Sequence, residues 1–87
     1  MVIDNDGGGI FDFLPQRSAL PIERYEQLFG TPHGTDIAAL ASAHGLPAVT
    51  ASTLVELRAA VSRPGPSLTR VASERTANVQ VHARLNP

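Results

Sequence analysis

The sequence of 87 residues contains no cysteine and no lysine, and each absence excludes a class of chemistry. Without cysteine the chain forms no disulfide, no thiolate metal site and no cysteine nucleophile. Without lysine it holds no P-loop, whose glycines must be followed by Gly-Lys-Ser or Gly-Lys-Thr. The seven basic residues are all arginine; they are scattered, and we expect them to be solvated. Because the net charge is −1 and no basic cluster exists, we expect no nucleic-acid partner.

Long apolar runs are absent as well. No stretch approaches the roughly 20 apolar residues of a membrane span, and no signal-peptide pattern opens the sequence. The hydrophobic content of 43% is nevertheless ordinary for a globular protein. We therefore expect one small, soluble, cytoplasmic domain with no membrane span.

The order of apolar patterns along the chain predicts an α/β fold with parallel strands. Strands are predicted at 1–3, 47–50 and 67–72, and helices at 22–29, at 37–44 and after the capping-box pattern Thr53–Glu56. Residues 16–21 predict a loop, and the tail from Glu74 is undecided. A doubly wound sheet normally has about five or six strands, so three predicted strands indicate half of such a domain.

Proline, glycine and a capping aspartate predict where the first two helices begin and end. Pro21 suits the first helical position, and Gly30 is predicted to end the first helix. Asp36 is predicted to cap the second helix with its carboxylate, and Gly45 is predicted to close it as the residue after the C-cap.

The most informative segment is Asp4-Asn5-Asp6-Gly7-Gly8-Gly9-Ile10-Phe11, directly after the first predicted strand. Three consecutive glycines permit a sharp turn and close approach of a ligand, because no Cβ is in the way. The two carboxylates and the amide before them supply the hard oxygen atoms that Mg²⁺ and Ca²⁺ prefer. Open α/β sheets bind ligands beyond the carboxyl ends of their strands. These residues alone support a ligand loop and a tight structural turn about equally.

Familiar motifs do not account for this segment. An EF-hand is excluded because Gly8 stands at its third acidic position and Pro15 stands where its bidentate glutamate belongs. Gly7–Gly9 lacks the spacing of the dinucleotide-binding fingerprint, and the chain has no G-x-S-x-G nucleophile motif. No two histidines have metal-ligand spacing, so all three are expected to be structural; His33, in a turn, is the one we retain as a candidate.

Two segments taken together resemble a known family. Residues 4–16 and the run Leu28-Phe29-Gly30-Thr31-Pro32-His33-Gly34 resemble the C-terminal part of the MenD family of thiamine-diphosphate enzymes, which act in menaquinone biosynthesis. Residues 35–45 are similar to the helix that follows the cofactor loop in thiamine-diphosphate enzymes generally. The resemblance covers essentially the whole chain. It implies that residues 1–87 are a partial thiamine-diphosphate-binding domain of the PP type, the C-terminal half of a doubly wound, mainly parallel sheet.

The resemblance also implies an activity. The family's enzymes are transferases that decarboxylate 2-oxoglutarate and add the succinyl carbanion to isochorismate, with thiamine diphosphate and Mg²⁺, which Mn²⁺ can replace. The side chain of Asn5 and the backbone carbonyl of Gly7 would bind the metal and the cofactor. Ile10, Phe11 and Leu14 would form an apolar wall against the cofactor. No catalytic side chain is implied within the chain.

Some parts of the family's site lie outside this sequence. The third Mg²⁺ ligand belongs to an upstream Gly-Asp motif, and the glutamate that activates the cofactor belongs to another domain. We therefore expect a fragment of a much longer synthase, which is a homodimer or homotetramer in its full form, and we expect the fragment alone to be inactive. The alternative is a non-catalytic small α/β binding or interaction module that uses the apolar surface around Phe11, Phe13 and Leu14.

Overall fold

The computed structural model describes residues 1–85 of the chain. Its elements in chain order are β1 (Val2–Asp4), a 3₁₀ turn (Ile10–Phe13), α1 (Gln16–Ala19), α2 (Ile22–Tyr25), a π-helical turn (Glu26–Gly30), α3 (Ile37–Ala43), β2 (Ala48–Ala51), α4 (Leu54–Val61), β3 (Leu68–Ala72) and α5 (Arg75–Leu85). None of the helices described is long and apolar enough to cross a membrane.

The elements form two compact units. The first, which we call the sheet unit, comprises Met1–Asp4 and Thr35–Ala72. The second, which we call the loop unit, comprises Asn5–Gly34 and the segment Ser73–Pro87, described here as far as Leu85.

The sheet unit is built on three parallel strands in the order β1-β3-β2. Val2 lies opposite Arg70 across the first pair of strands, and Ala48 lies opposite Leu68 across the second. Each strand agrees with its predicted bounds to within one residue. The alternation of parallel strands and helices confirms the predicted α/β fold class.

Side-chain caps define the helices of the sheet unit as predicted. The Asp36 carboxylate accepts a hydrogen bond from the Ala39 amide at 2.9 Å. The Thr53 hydroxyl accepts from the Glu56 amide at 3.1 Å, and the Glu56 carboxylate accepts in return from the Ser52 amide at 2.8 Å. These bonds satisfy backbone donors that the first helical turn leaves unpaired, so both helices begin at fixed residues.

The interior of the sheet unit is small. Its buried apolar residues are Ala41 on α3, Ala51 on β2 and Ala60 on α4. Small side chains let helix and strand backbones approach closely, but they bury little apolar area. An ion pair adds to this core, since Arg70 Nε on β3 lies 2.6 Å from Asp4 Oδ2 on β1.

Tyr25 is the centre of the loop unit and is fully buried. Its hydroxyl donates a hydrogen bond to the buried carboxylate of Asp12. The Arg17 guanidinium lies 5.2 Å from the Tyr25 ring centre, and the Phe29 ring lies 5.5 Å from it. Burial and the hydrogen bond to Asp12 raise the pKa of Tyr25 to about 12. The core of the loop unit therefore contains a polar pair, and the tyrosine of this pair is in contact with one aromatic ring and one guanidinium.

Three predictions about the loop unit were wrong. Residues 16–21, expected to be a loop, contain the single helical turn α1. Pro21 is the N-cap and not the first helical residue, because its carbonyl accepts the Tyr25 amide at 2.9 Å while its own ψ is 144°. The helix expected at 22–29 is α-helical only through Tyr25 and continues as the π-helical turn Glu26–Gly30.

Most of the undecided tail forms α5, the longest helix in the part of the chain that the structure describes; residues 86 and 87 lie outside that part. The Glu74 carboxylate caps it by accepting hydrogen bonds from the amides of Ala77 at 2.6 Å and Thr76 at 3.0 Å. These bonds lower the pKa of Glu74, since they favour its charged form. The side chain of Arg75, the first residue of this helix, lies next to the carbonyl oxygen of Gly8.

Candidate functional site

Residues 5–9, which we call the glycine turn, pack against the backbone of Phe29–Thr31. The Gly8 amide donates a hydrogen bond to the Gly30 carbonyl at 2.8 Å. A Cβ at Gly7 would overlap that same carbonyl oxygen, and a Cβ at Gly8 would lie 3.2 Å from the Phe29 oxygen. Gly7 also has a φ of +140°, which other residues rarely adopt. Glycine is therefore required at position 7 and favoured at position 8, and the two segments that resemble the family touch each other.

The hydrogen bond from Gly8 fixes the direction of the Gly7 carbonyl. The Gly7 C=O and the Gly8 N–H belong to one planar peptide group, and all peptide bonds described are trans. In a trans peptide the C=O and N–H point in opposite directions. Because the Gly8 N–H points at Gly30, the Gly7 oxygen points away from Gly30.

Asn5 lies at the start of the same turn and is half-buried. A Cβ at Gly9 would come within 3.1 Å of the Asn5 side-chain nitrogen, so the third glycine leaves room for the Asn5 side chain. The structure thus brings the two predicted metal ligands, Asn5 and Gly7, into one turn. An amide oxygen and a backbone carbonyl are ligands that suit Mg²⁺. Their binding of a metal stays a prediction.

The acidic residues on either side of Asn5 have protein partners. Asp4 is paired with Arg70 in the sheet unit. Asp6 Oδ1 accepts the Gly34 amide at 2.9 Å and lies 3.7 Å from His33 Nδ1. His33, the retained histidine, thus lies beside the turn. Within residues 1–85 no three His, Asp or Glu side chains converge in a way that could hold a metal ion.

The predicted apolar wall lies on the surface of the loop unit. Ile10 and Phe11 belong to the 3₁₀ turn and Leu14 follows it; they are 74%, 40% and 43% exposed. The Phe11 ring packs 5.2 Å from the Phe29 ring, whereas Leu14 lines an open groove together with residues of α5. Their contact with a cofactor stays a prediction.

Sequence patterns missed an ion pair that borders the glycine turn. Arg75 Nη2 lies 2.6 Å from Glu26 Oε2, and Arg75 Nη1 lies 3.4 Å from the Gly8 carbonyl oxygen. The hydrogen bond to Glu26 raises the pKa of Arg75. The expectation that the arginines are solvated is therefore wrong for Arg75, and also for Arg70. Glu26 and Arg75 are 49 residues apart, so no local pattern joins them.

Gly30 ends the first helical run, as predicted. Glycine at the end of a helix commonly supplies a left-handed conformation, but Gly30 does not. The residue in that conformation is Thr31, with a φ of 43°. At Gly30 a Cβ would lie 2.5 Å from both Arg75 Nη1 and Glu26 Oε2. The ion pair thus occupies the space of a side chain at Gly30, and a larger residue there would displace the charged ends of Arg75 and Glu26.

Comparison with known proteins places these features in a family. No family model matches the chain. A protein of Myxococcus xanthus named 2-succinyl-5-enolpyruvyl-6-hydroxy-3-cyclohexene-1-carboxylate synthase is 43% identical over 88 residues, which include 98% of this chain and 15% of the relative. Proteins of the same name from Saccharopolyspora erythraea and Chloroflexus aurantiacus are 40% and 42% identical, with 99% and 100% of this chain covered.

The similarity extends over the chain but not over its relatives. The chain spans only 15–16% of the length of these three synthases. This agrees with the predicted correspondence to a C-terminal piece of such an enzyme, and the small parallel sheet agrees with part of a thiamine-diphosphate-binding domain. Over the segment that it represents, the chain belongs to the MenD family of 2-succinyl-5-enolpyruvyl-6-hydroxy-3-cyclohexene-1-carboxylate synthases.

Proposed function

We propose that this chain supplies the metal-binding turn of a MenD synthase. The observation that carries the proposal is the Gly8–Gly30 hydrogen bond, which directs the Gly7 carbonyl away from Gly30. The turn would bind Mg²⁺, or Mn²⁺ in its place, through the Asn5 side-chain oxygen and the Gly7 carbonyl. Both are uncharged oxygen donors, and Mg²⁺ commonly takes few protein ligands while it keeps waters and substrate phosphate oxygens. In the complete enzyme the aspartate of the upstream Gly-Asp motif and the diphosphate of the cofactor would also bind the metal.

The apolar residues would contact the organic part of the cofactor. We assign Ile10, Phe11 and Leu14 to the wall beside the thiazolium ring, where their exposed surface excludes water from the reacting carbon. When bound, thiamine diphosphate supplies the electron sink for decarboxylation and carbon–carbon bond formation. The chain's own residues bind and orient it.

The complete enzyme would decarboxylate 2-oxoglutarate and transfer the succinyl group to isochorismate. We propose that residues 1–87 form part of its PP-type thiamine-diphosphate-binding domain and that the complete enzyme is a homodimer or homotetramer. These statements are what the family resemblance implies. The synthase names of relatives that are 40–43% identical support the family, and the chain represents only 15–16% of their length.

The second candidate is a non-catalytic binding module. It is favoured by the exposure of Phe11, Phe13 and Leu14, which are 40%, 47% and 43% exposed and could contact a protein partner. The two functions make different demands on Asn5 and Gly7, since only a cofactor site needs their oxygen atoms.

A chimeric synthase tests the proposed function. The 88 aligned residues of the Myxococcus xanthus synthase would be replaced by this chain. We expect turnover of 2-oxoglutarate and isochorismate that requires both thiamine diphosphate and a divalent metal. In this chimera Asn5→Ala should raise the Mn²⁺ dissociation constant by at least about tenfold, because even residues that only support a metal ligand have effects of this size. The constant is measured with thiamine diphosphate present, from the electron paramagnetic resonance signal of free Mn²⁺.

Asn78→Ala is the matched control, because Asn78 is an exposed asparagine on α5. It should leave the Mn²⁺ dissociation constant unchanged. A folded chimera that binds neither cofactor nor metal, while the unaltered Myxococcus xanthus synthase binds both, would refute the proposed function and leave the binding module.

A further inference from the structure

The ion pair between Arg75 and Glu26 is largely withdrawn from solvent. The Arg75 side chain is 14% exposed and the Glu26 side chain 31%. The guanidinium joins α5 to two other segments. Its Nη2 is 2.6 Å from the Glu26 carboxylate on the π-helical turn, and its Nη1 is 3.4 Å from the Gly8 carbonyl oxygen. A planar guanidinium can bridge two acceptors in fixed directions, which an ammonium group does less well.

The position of Arg75 is electrostatically unfavourable for its own helix. Arg75 is the first residue of α5, and a cation near a helix N-terminus opposes the helix dipole. Withdrawing a charge from water is also costly unless the charge is paired. Contacts of Arg75 outside its helix must therefore compensate, and these are the contacts with Glu26 and Gly8.

The ion pair packs on the backbone that orients the turn. A Cβ at Gly30 would lie 2.5 Å from Arg75 Nη1 and from Glu26 Oε2, so both charged groups rest directly on Gly30. The Gly30 carbonyl is the acceptor for the Gly8 amide. On the other side, the Arg75 stem would lie 3.6 Å from a Cβ at Gly9. Arg75 thus lies against Gly30 and Gly8, which form the hydrogen bond that directs the Gly7 carbonyl, and against Gly9, which follows them in the turn.

We propose that Arg75 and Glu26 are positioning residues for the metal ligand Gly7. Their ion pair holds Gly30 and Gly8 at hydrogen-bonding distance, and this distance keeps the Gly7 carbonyl pointed at the metal. The inference rests on the proposed function, because it assumes that the Gly7 oxygen binds a cation. It assigns to the ion pair a role in metal affinity and none in the chemical step.

The chimeric synthase is the protein for the test. The variants are Arg75→Gln and Glu26→Gln, which remove one charge each, and Arg75→Lys, which keeps the charge but loses the planar fork. Arg84→Gln is the matched control, because Arg84 is an exposed arginine on the same helix. Two quantities are measured: the Mn²⁺ dissociation constant with thiamine diphosphate present, and the hydrogen-exchange rate of the Gly8 amide by mass spectrometry with single-residue fragmentation.

We expect Arg75→Gln and Glu26→Gln to raise the Mn²⁺ dissociation constant by about 10- to 100-fold, the range typical of groups that orient metal ligands. The Gly8 amide should exchange faster in both variants. Arg75→Lys should give a smaller change, and Arg84→Gln none. At saturating Mn²⁺ and thiamine diphosphate the turnover number should stay within about threefold of the parent, because a positioning defect is overcome once the metal is bound.

Three results would overturn the inference. In the first, the Mn²⁺ constants of Arg75→Gln and Glu26→Gln equal that of the parent although Gly8 exchanges faster. In the second, turnover falls at saturating metal while the Mn²⁺ constant is unchanged, as for a purely structural role. In the third, Arg84→Gln weakens binding as much as Arg75→Gln. Should Arg75→Gln fail to fold, Glu26→Gln and Arg75→Lys decide. A parent chimera without metal binding would refute the proposed function itself, before any variant is compared.

Discussion

Gly7→Ala is expected to release the glycine turn from the Phe29–Thr31 backbone. Alanine at this position would have to adopt a φ of +140°, and its Cβ would overlap the Gly30 carbonyl oxygen. Backbone strain of this kind costs about 1–3 kcal/mol. Moving the turn away to relieve the overlap breaks the Gly8–Gly30 hydrogen bond, which contributes about 1 kcal/mol. We therefore expect Gly7→Ala to destabilise the closed turn by about 2–4 kcal/mol.

Hydrogen exchange of the Gly8 amide measures this destabilisation directly. In the chimeric synthase, a loss of about 2–4 kcal/mol corresponds to an exchange rate about 30- to 700-fold faster, since about 1.4 kcal/mol is a factor of ten. Gly45→Ala is the matched control. Gly45 also has a positive φ, of +77°, but a Cβ there meets nothing within 4 Å. It should cost about 1–2 kcal/mol from its conformation alone and leave Gly8 exchange unchanged.

The comparison separates the two reasons for a glycine. If Gly8 exchanges at the parent rate in Gly7→Ala, the backbone contact with Gly30 does not hold the turn, and the direction assigned to the Gly7 carbonyl fails with it. If Gly45→Ala accelerates Gly8 exchange as much as Gly7→Ala, the effect is a general loss of stability and not the opening of this turn.

Two further predictions concern stability and activity. Tyr25→Phe leaves the buried Asp12 without the tyrosine donor and should destabilise the chimera by about 1–3 kcal/mol, seen as a lower thermal midpoint. Folding raises the pKa of Tyr25 from 10.0 to about 12, so the Tyr25 hydroxyl loses its proton at lower pH in the unfolded state than in the folded state. The greater stability of the parent over Tyr25→Phe should therefore vanish as the pH rises from 10 to 12. A stability difference that stays constant over this pH range would contradict the prediction. The isolated 87-residue chain should show no synthase turnover, because the family's third metal ligand and activating glutamate lie outside this sequence. It should also show no cooperative thermal transition, because β1 and β2 are open sheet edges. Turnover or a cooperative transition would contradict the respective prediction.

Local signals in the sequence were sufficient for the sheet unit. The carboxylate of Asp36 and the hydroxyl of Thr53 cap helices as expected, since each bonds an amide three residues ahead. Gly45 closes α3 in a left-handed conformation, the reason for which glycine follows helices. Such interactions span one helical turn, so the residues that form them are visible together in the sequence.

The loop unit was less predictable because its interactions are distant in sequence. The bond from Tyr25 to Asp12 spans 13 residues, and the contact between Arg75 and Gly8 spans 67. The composition of the turn indicated an oxygen-rich loop that a ligand could approach, and the family resemblance assigned Asn5 and Gly7 to it as metal ligands. It could not identify Arg75, because nothing local distinguishes a paired arginine from a solvated one.

Gly30 shows where a local rule fails. A glycine after a helix indicates a left-handed residue only if no other constraint requires glycine there. At Gly30 the ion pair is a competing constraint, since a Cβ would lie 2.5 Å from the charged groups of Glu26 and Arg75 and would displace them; the left-handed residue is Thr31. Adopting that conformation costs Thr31 energy that glycine would not lose. The chain therefore keeps its glycine where the ion pair needs space, and this choice is explained if the ion pair orients the turn that holds Gly7.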